Sequence, residues 1–191
     1  SSILVRRLKA DVLDELPAKQ RQVIVLDGAD YEEELRLEAL AEAALETTSP
    51  EIRFEELSEV RHRLAVAKVP AILEHLKDID HPVVVFAHHK DVVAALAAEL
   101  DAVTLTGDHT TEERQAAVES FQRGDVQYFI GTIGAAGVGI TLTRSSHVVF
   151  AELDWVPGNL SQSEDRCHRI GQHDSVLVQH LVVDESIDAR Q

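Results

Sequence analysis

Two arginines three residues apart offer the most promising chemistry in the sequence. Arg166 and Arg169 lie in the stretch QSEDRCHRIGQ, residues 162–172. If this stretch is helical, its spacings place both arginines on one face with Gln162 and Asp165. Such a face suits a polyanionic ligand, because guanidinium groups match phosphate oxygens and keep their charge at any working pH. The same spacing also fits a solvated helix in which Asp165 pairs with a neighbouring arginine, and the spacing alone leaves both interpretations open.

The sequence also contains signals for the two ends of such a helix. Asn159 or Ser161 can cap its first turn, and Ser161 with Glu164 has the capping-box spacing. Gly171 would end it, since glycine readily adopts the left-handed backbone that follows many helices. These signals predict a helix that runs through both arginines.

A glycine-rich stretch, GTIGAAGVGITL, occupies residues 131–142. Glycine lets the backbone approach a ligand closely, and consecutive free N–H groups can cradle phosphate. The same composition also fits a tight connection from a strand to a helix that binds nothing.

Gly131 to Gln172 resembles motifs V and VI of superfamily 2 helicase-like ATPases. The runs AAGVGITLT, AELDW and DRCHRIGQ follow the order and spacing of the Swi/Snf family of double-stranded DNA translocases, and within it of the annealing-helicase branch. An N-terminal run, RRLKADVLDELPAK, resembles the segment that leads into the second motor lobe of these ATPases. The chain departs from the family pattern at Thr141, where many relatives carry Asn, and at Val156, where Asn is usual.

The resemblance implies roles in nucleotide chemistry. In the family, the motif VI arginines reach across a cleft to the γ-phosphate of ATP held by the other lobe. Arg166 and Arg169 then act as arginine fingers, which typically contribute about 10³ to 10⁵ in rate by stabilising the charge of phosphoryl transfer. Motif V touches both nucleotide and DNA, which implies nucleotide contacts for Gly137 and Gly139, and Gln162 is expected to orient the nucleotide or a water.

The resemblance also implies DNA contacts in loops that follow predicted strands, where ligands gather in parallel sheets. His88 and Lys90 resemble motif IV, Thr106 and Gly107 resemble the next backbone-binding loop, and Thr132 opens motif V. Hydroxyls, backbone amides and a lysine suit phosphate contacts that carry no sequence information. For His88 a structural role in capping the strand end is the alternative.

Apolar runs alternate with amphipathic segments after Pro82, which predicts a parallel α/β sheet with right-handed crossovers. The predicted strands are Val23–Leu26, Val83–Ala87, Val103–Leu105, Tyr128–Ile130, Val148–Ala151 and Val176–Val183. The predicted helices are an amphipathic one before Pro17, then Tyr31–Glu46, Phe54–Ala67, Lys68–Lys77, Asp91–Leu100 and Thr110–Gln122. We expect an α/β fold class: a RecA-like parallel sheet flanked by helices in residues 81–191, with residues 1–80 as a lead-in segment and helical extension of the same domain.

Composition further limits the number of domains, the location and the function that the chain can have. The 191 residues, 45% of them hydrophobic, suit one domain with a substantial core. The sequence has no membrane-spanning run and no signal peptide, so an intracellular location, in a nucleoid or nucleus, is expected. A net charge of −16 disfavours a simple DNA binder. However, acidic residues concentrate between Asp27 and Glu59, and phosphate contacts need only a local positive stripe.

A working motor of this class needs a GxxxxGK[ST] phosphate loop and an acidic metal-binding motif, and the sequence contains neither. We therefore hypothesise that the chain is one lobe of a two-lobe motor ATPase and that it is inactive alone. ATP and Mg²⁺ would be held mainly by the N-terminal motor lobe of the same polypeptide, and the partner would be double-stranded DNA. No metal site of the chain's own is expected. The alternatives are an RNA helicase lobe and a non-catalytic α/β interaction module whose arginines form internal ion pairs.

Overall fold

The computed structural model describes residues 17–26, 31–44, 50–136 and 139–190 of the chain. Within these ranges the strands are β1 Lys19–Val25, β2 Val83–Ala87, β3 Ala102–Leu105, β4 Tyr128–Thr132, β5 His147–Phe150 and β6 Val176–Val182. The helices are α1 Glu32–Ala44, α2 Pro50–Ala67, α3 Val69–Lys77, α4 Lys90–Glu99, α5 Thr111–Arg123, α6 Ile133–Ala136 and α7 Pro157–Glu164, and a 3₁₀ turn spans Asp188–Arg190.

The six strands form one parallel sheet in the order β1-β6-β5-β2-β4-β3. Strands β2, β4 and β5 are buried along their whole length, as continuous apolar runs in a parallel sheet require. Because all strands run the same way, their carboxyl ends meet at one edge, which we call the carboxyl edge. The opposite edge is the amino edge. The predicted α/β fold class is confirmed.

Helices cover both faces of the sheet. On one face α5, α6 and α7 enclose a core that contains Phe86, Phe121, Phe129 and Phe150. On the other face α2, α3 and α4 pack residues such as Ile72 against the sheet. The three layers hold the strands rigidly, so the loops at the carboxyl edge have fixed starting points.

The segment before β2 shares this framework. Strand β1 pairs with β6 in the main sheet, and α1 packs on α2. A small cluster joins Tyr31 and Leu64 to Val183, which follows β6. The buried Glu38 carboxylate accepts a hydrogen bond from the Ile187 N–H at 2.9 Å. The cluster at Val183 and the bond to Ile187 tie both helices to the segment that follows β6.

Several local signals in the sequence are confirmed. The Thr110 hydroxyl accepts the Glu113 N–H at 3.2 Å, and the Glu113 carboxylate accepts the Thr110 N–H at 2.8 Å, which completes the predicted capping box. Strand β1 begins earlier than predicted, at Lys19, because its polar first half also pairs with β6. The predicted N-terminal helix and most of the predicted turn at residues 47–50 lie outside the described residues.

No helix in the described ranges has the length and apolar character to cross a membrane.

A chain of hydrogen bonds at the amino edge links three histidines, one of them through Gln179. His81 Nε2 lies 3.0 Å from His147 Nδ1, and both His147 Nε2 and His75 Nε2 contact the Gln179 amide oxygen, at 2.8 and 2.9 Å. Burial lowers the pKa of His147, and neighbouring histidine charge lowers it further, which outweighs the hydrogen bond to Gln179.

The free energy of unfolding should therefore fall on acidification. The pKa of His147 in the folded chain lies below its ordinary value of 6.5, so the unfolded chain takes up more protons as pH drops. The contribution of neutral His147 to the free energy of unfolding is complete well above pH 6.5. It is lost as the pH falls through 6.5 towards the pKa of His147 in the folded chain. Urea unfolding between pH 8 and pH 5 measures it. His147→Gln should flatten the slope near pH 6, and an unchanged slope would contradict this assignment.

Candidate functional site

The carboxyl edge gathers the five residues predicted to contact DNA, which are His88, Lys90, Thr106, Gly107 and Thr132. The first two follow β2, the next two follow β3, and the last ends β4. His88, Lys90 and Gly107 are exposed and Thr106 is half-buried. Thr132 is buried, so its side chain contributes to packing more than to the surface.

An exposed ion pair joins two of these loops. Lys90 Nζ lies 2.6 and 2.7 Å from the two carboxylate oxygens of Asp108, across the end of β4. The two side chains are 58% and 71% exposed. Solvent screens such a pair strongly, so it holds Lys90 only weakly. The carboxylate nevertheless offsets the positive charge of Lys90 in the unliganded chain.

The helix that leads to the arginines ends earlier than the spacing predicts, which corrects the expectation of a helix through Gly171. Helix α7 ends at Glu164, and residues 165–172 form successive turns that we call the arginine turn. The carbonyl oxygen of Arg166 accepts the Leu142 N–H at 2.9 Å, a tertiary bond that takes the place of a helical one. Cys167 is also fully buried in the core. Tertiary contacts therefore override the local helical pattern.

The start of this helix also differs from the prediction. Helix α7 begins at Pro157 rather than after Asn159 or Ser161, because proline suits the first helical position. The Asp154 carboxylate accepts the Val156 N–H at 2.7 Å and the Asn159 side-chain amide at 3.0 Å. This acidic residue organises the turn at the position where Val156 replaces the usual Asn.

The arginine turn lies against the glycine-rich stretch of residues 131–142. Arg169 is half-buried, and its Nη1 donates to the Ile140 carbonyl at 3.2 Å and to the Thr141 hydroxyl at 3.1 Å. Arg166 Nε donates to the Gln162 carbonyl at 3.1 Å. Burial, and then the positive charge of Arg169, lower the pKa of Arg166. Two mutually repelling cations therefore lie close together beside this stretch.

Two of the three predicted nucleotide contacts, Gly139 and Gln162, fall in the same neighbourhood. Gly139 is exposed with φ +73°, a backbone conformation that side-chain-bearing residues rarely adopt. Gln162 has an exposed side chain on α7. Gly137 lies outside the described residues. Gly171, at φ +99°, meets the same backbone requirement within the arginine turn.

Two buried side chains that sequence reasoning left without a binding role support the arginine turn. The Glu164 carboxylate accepts Lys19 Nζ at 2.6 Å and Arg21 Nη2 at 2.7 Å. Burial would raise the pKa of Glu164, but the bonds from Arg21 and Lys19 outweigh it and lower that pKa. Gln172 donates to the Ser145 carbonyl at 2.8 Å from inside the turn. Two side chains of β1 thus hold the start of the arginine turn through Glu164, and Gln172 holds its end.

Arg61, on α2, was not identified from the sequence. Its guanidinium carbon lies 4.2 Å from the Trp155 ring centroid, and it donates to the Leu153 carbonyl at 3.0 Å. Trp155 is therefore a rim residue, stacked on a cation. The sequence around Arg61 carries no local sign of this contact, because its partners are 92 or more residues away. In the described ranges, no group of three or more His, Cys, Asp or Glu side chains is arranged to hold a metal ion.

The six-stranded parallel sheet with helices on both faces defines a RecA-like α/β lobe. The C-terminal part of the Fun30 ATPase domain has a similar structure, with a TM-score of 0.73 over 92% of this chain and 88% of that chain. The two sequences are 16% identical, so this likeness concerns the fold.

Sequence comparison identifies the family. The model for the helicase conserved C-terminal domain matches residues 66–171. A SWI/SNF-related matrix-associated actin-dependent regulator of chromatin subfamily A-like protein 1 homolog from Caenorhabditis elegans is 38% identical over 97% of this chain and 29% of its own length. The DNA annealing helicase and endonuclease ZRANB3 of Mus musculus is 35% identical over 99% of this chain and 19% of its own length.

The chain belongs to the helicase conserved C-terminal domain family, in the Swi/Snf-related group that includes the annealing helicases. It spans less than a third of the length of these curated relatives.

Proposed function

We propose that this chain is the second motor lobe of a double-stranded-DNA-translocating ATPase. Arg166 and Arg169 would act on ATP bound, with Mg²⁺, mainly by an N-terminal lobe of the same polypeptide. The loops at the carboxyl edge would contact the DNA backbone. Family membership supports the motor assignment, and the name of one relative, a DNA annealing helicase, supports DNA as the substrate.

The contact between Arg169 and Thr141 carries the nucleotide half of the proposal. It joins the arginine turn to the glycine-rich stretch, at 3.1 Å, through a neutral hydroxyl rather than a carboxylate. A guanidinium that bonds to neutral oxygens keeps its net positive charge, and this charge remains available to bind an anion. Because Arg166 is close enough for the two charges to interact, a phosphate would relieve their repulsion. This arrangement suits stabilisation of the charge that develops in phosphoryl transfer.

The DNA half of the proposal depends on the exposed groups of two loops. Lys90, His88 and the backbone around Gly107 present a lysine, an imidazole and amides to solvent at one edge. Such groups fit phosphates and do not read base sequence. The acidic total charge of the chain does not oppose this, because the contacts are local.

The test is ATP hydrolysis by the full-length protein with duplex DNA, single-stranded DNA or RNA. We expect the largest stimulation from duplex DNA. Stimulation by RNA as strong as that by duplex DNA would instead favour an RNA helicase lobe, and no stimulation by any of them would overturn the proposal.

Asp108→Asn should tighten duplex binding about threefold, because it frees Lys90 from a screened ion pair and removes a like charge from the DNA's path. The salt dependence should also steepen slightly. Fluorescence anisotropy of labelled duplex with the full-length protein measures both. Asp125→Asn is a matched control. It removes an equal charge from an exposed pair with Arg123, at 2.7 Å, just before β4 at the amino edge. Equal tightening by both variants would contradict a local role for Asp108.

A further inference from the structure

Glu152 is a buried acid with no part in the chemistry described so far. It follows β5 by two residues and is 4% exposed. One carboxylate oxygen accepts the backbone N–H groups of both His88 and His89, each at 2.9 Å. The other lies 2.6 Å from His89 Nδ1. A single side chain thus satisfies two consecutive amides and one ring of the loop between β2 and α4.

The charge state of Glu152 makes these bonds strong. Burial would raise the pKa of its carboxyl, but the bonds from the His89 ring and from the His89 and His88 amides outweigh burial and lower that pKa. The carboxylate is therefore ionised at neutral pH. Hydrogen bonds to an ionised acceptor are about twice as strong as neutral ones.

The same loop is held from its other side by α2. The His62 ring stacks on the His89 ring, with centroids 4.1 Å apart and an interplanar angle of 20°. His62 Nε2 also lies 2.6 Å from a carboxylate oxygen of Asp91, at the start of α4. With Glu152 on one side and His62 on the other, His89 is fixed, while its neighbours His88 and Lys90 remain exposed.

The position of Glu152 in the chain gives these contacts a consequence beyond stability. Strands β2 and β5 are neighbours, so the carboxylate bridges two adjacent strand ends. Glu152 is followed directly by Leu153 and Asp154, which lead into α7 and the arginine turn. The loop with the proposed DNA contacts is therefore bonded to the segment that leads to Arg166.

We propose that Glu152 is a positioning residue that fixes the β2–α4 loop for contact with the DNA backbone and joins this loop to the segment leading to the arginine turn. This inference rests on the proposed function. It concerns the geometry of His88 and Lys90 rather than any contact of Glu152 with DNA or nucleotide.

Two substitutions separate positioning from simple burial of an acid. Glu152→Ala removes all three bonds to the loop. Glu152→Gln keeps the shape, because its amide oxygen can accept both backbone N–H groups and its NH₂ can donate to His89 Nδ1 in the other ring tautomer. If positioning is the role, glutamine should restore most of what alanine loses.

The experiment uses the full-length protein and three measurements. They are the duplex DNA concentration for half-maximal ATPase stimulation, the KM for ATP, and hydrogen exchange of the loop amides. For Glu152→Ala we expect about a tenfold rise in the half-saturating DNA concentration, a KM for ATP within about twofold of wild type, and about tenfold faster exchange at residues 88–89. Glu152→Gln should stay within about threefold of wild type in all three.

Several outcomes would overturn the inference. These are an unchanged DNA half-saturation in Glu152→Ala, an equal rise in the KM for ATP, or no rescue by glutamine. If the alanine variant does not fold, Glu152→Asp decides instead. It keeps the carboxylate but is one methylene shorter and cannot reach all three partners at once, and an unchanged half-saturation would then reject the role. If the wild type shows no DNA stimulation, the proposed function fails, while the exchange rates still decide whether Glu152 holds the loop.

Discussion

Replacing Arg169 with alanine in the full-length protein should abolish DNA-stimulated ATP hydrolysis, with a fall in turnover of about 10³-fold or more. The guanidinium is planar and permanently charged, and it stabilises the negative charge that develops on the transferred phosphoryl group. Arg166→Ala should act in the same direction, because the two charges are close enough to interact. Steady-state hydrolysis at saturating duplex DNA measures the effect.

Control variants distinguish a loss of catalysis from a loss of folding stability. Within the described residues, Arg169 bonds to the Ile140 carbonyl and the Thr141 hydroxyl. Both are neutral, so the alanine variant leaves no charge without its partner there, and its thermal unfolding should change little. Arg169→Lys keeps the charge but lacks the fork of donors, and should recover only a small part of the rate. Arg123→Ala is a matched control at the C-terminal end of α5, where the arginine pairs with Asp125, and should leave turnover unchanged. Turnover above about a tenth of wild type in Arg169→Ala would remove the arginine-finger role.

Much of the fold is predictable because its signals are local. The run VVVFA at 83–87 is apolar at every position, and the structure buries every position, as a central parallel strand requires. The capping box at Thr110 fixes the start of α5 within a single turn of chain. Alternation of such strands and helices then restricts the sheet to parallel crossovers.

The features of the site that the sequence did not predict depend on contacts between residues that are far apart in the chain. Nothing within a few residues of Glu164 reveals that Lys19 and Arg21, more than 140 positions away, bind its carboxylate. The bond from Leu142 to the Arg166 carbonyl, which helps to end α7, is equally remote. Glu152 looks like an ordinary acid after a strand until the neighbouring strand end places His89 beside it. Motifs located the arginines, but only the fold locates the groups that hold them.

The second large effect is expected on stability, at Asp188. This carboxylate, 7% exposed, lies in the 3₁₀ turn after β6 and pairs with Arg61 Nη2 at 2.5 Å and Lys68 Nζ at 3.4 Å. Lys68 is 1% exposed, and its other acceptor within the described ranges is the Leu181 carbonyl, at 3.3 Å. Asp188→Ala would leave two buried or nearly buried cations without their counter-charge. Breaking a buried pair in this way costs about 3–5 kcal/mol of unfolding free energy.

Thermal and urea unfolding should therefore show Asp188→Ala melting about 10 °C below wild type. Lys68→Met is the informative comparison, because it removes the buried ammonium, fills a similar volume and leaves Asp188 paired with Arg61. The Arg61–Asp188 pair that remains carries no net charge, so no buried charge is left uncompensated, and we expect a cost within about 1 kcal/mol. In the double variant, Lys68→Met should also recover part of the loss, since one unpaired cation is gone. If Lys68→Met destabilised the chain as much as Asp188→Ala, the loss would reflect disturbed packing at this site, and the uncompensated-charge account would be wrong.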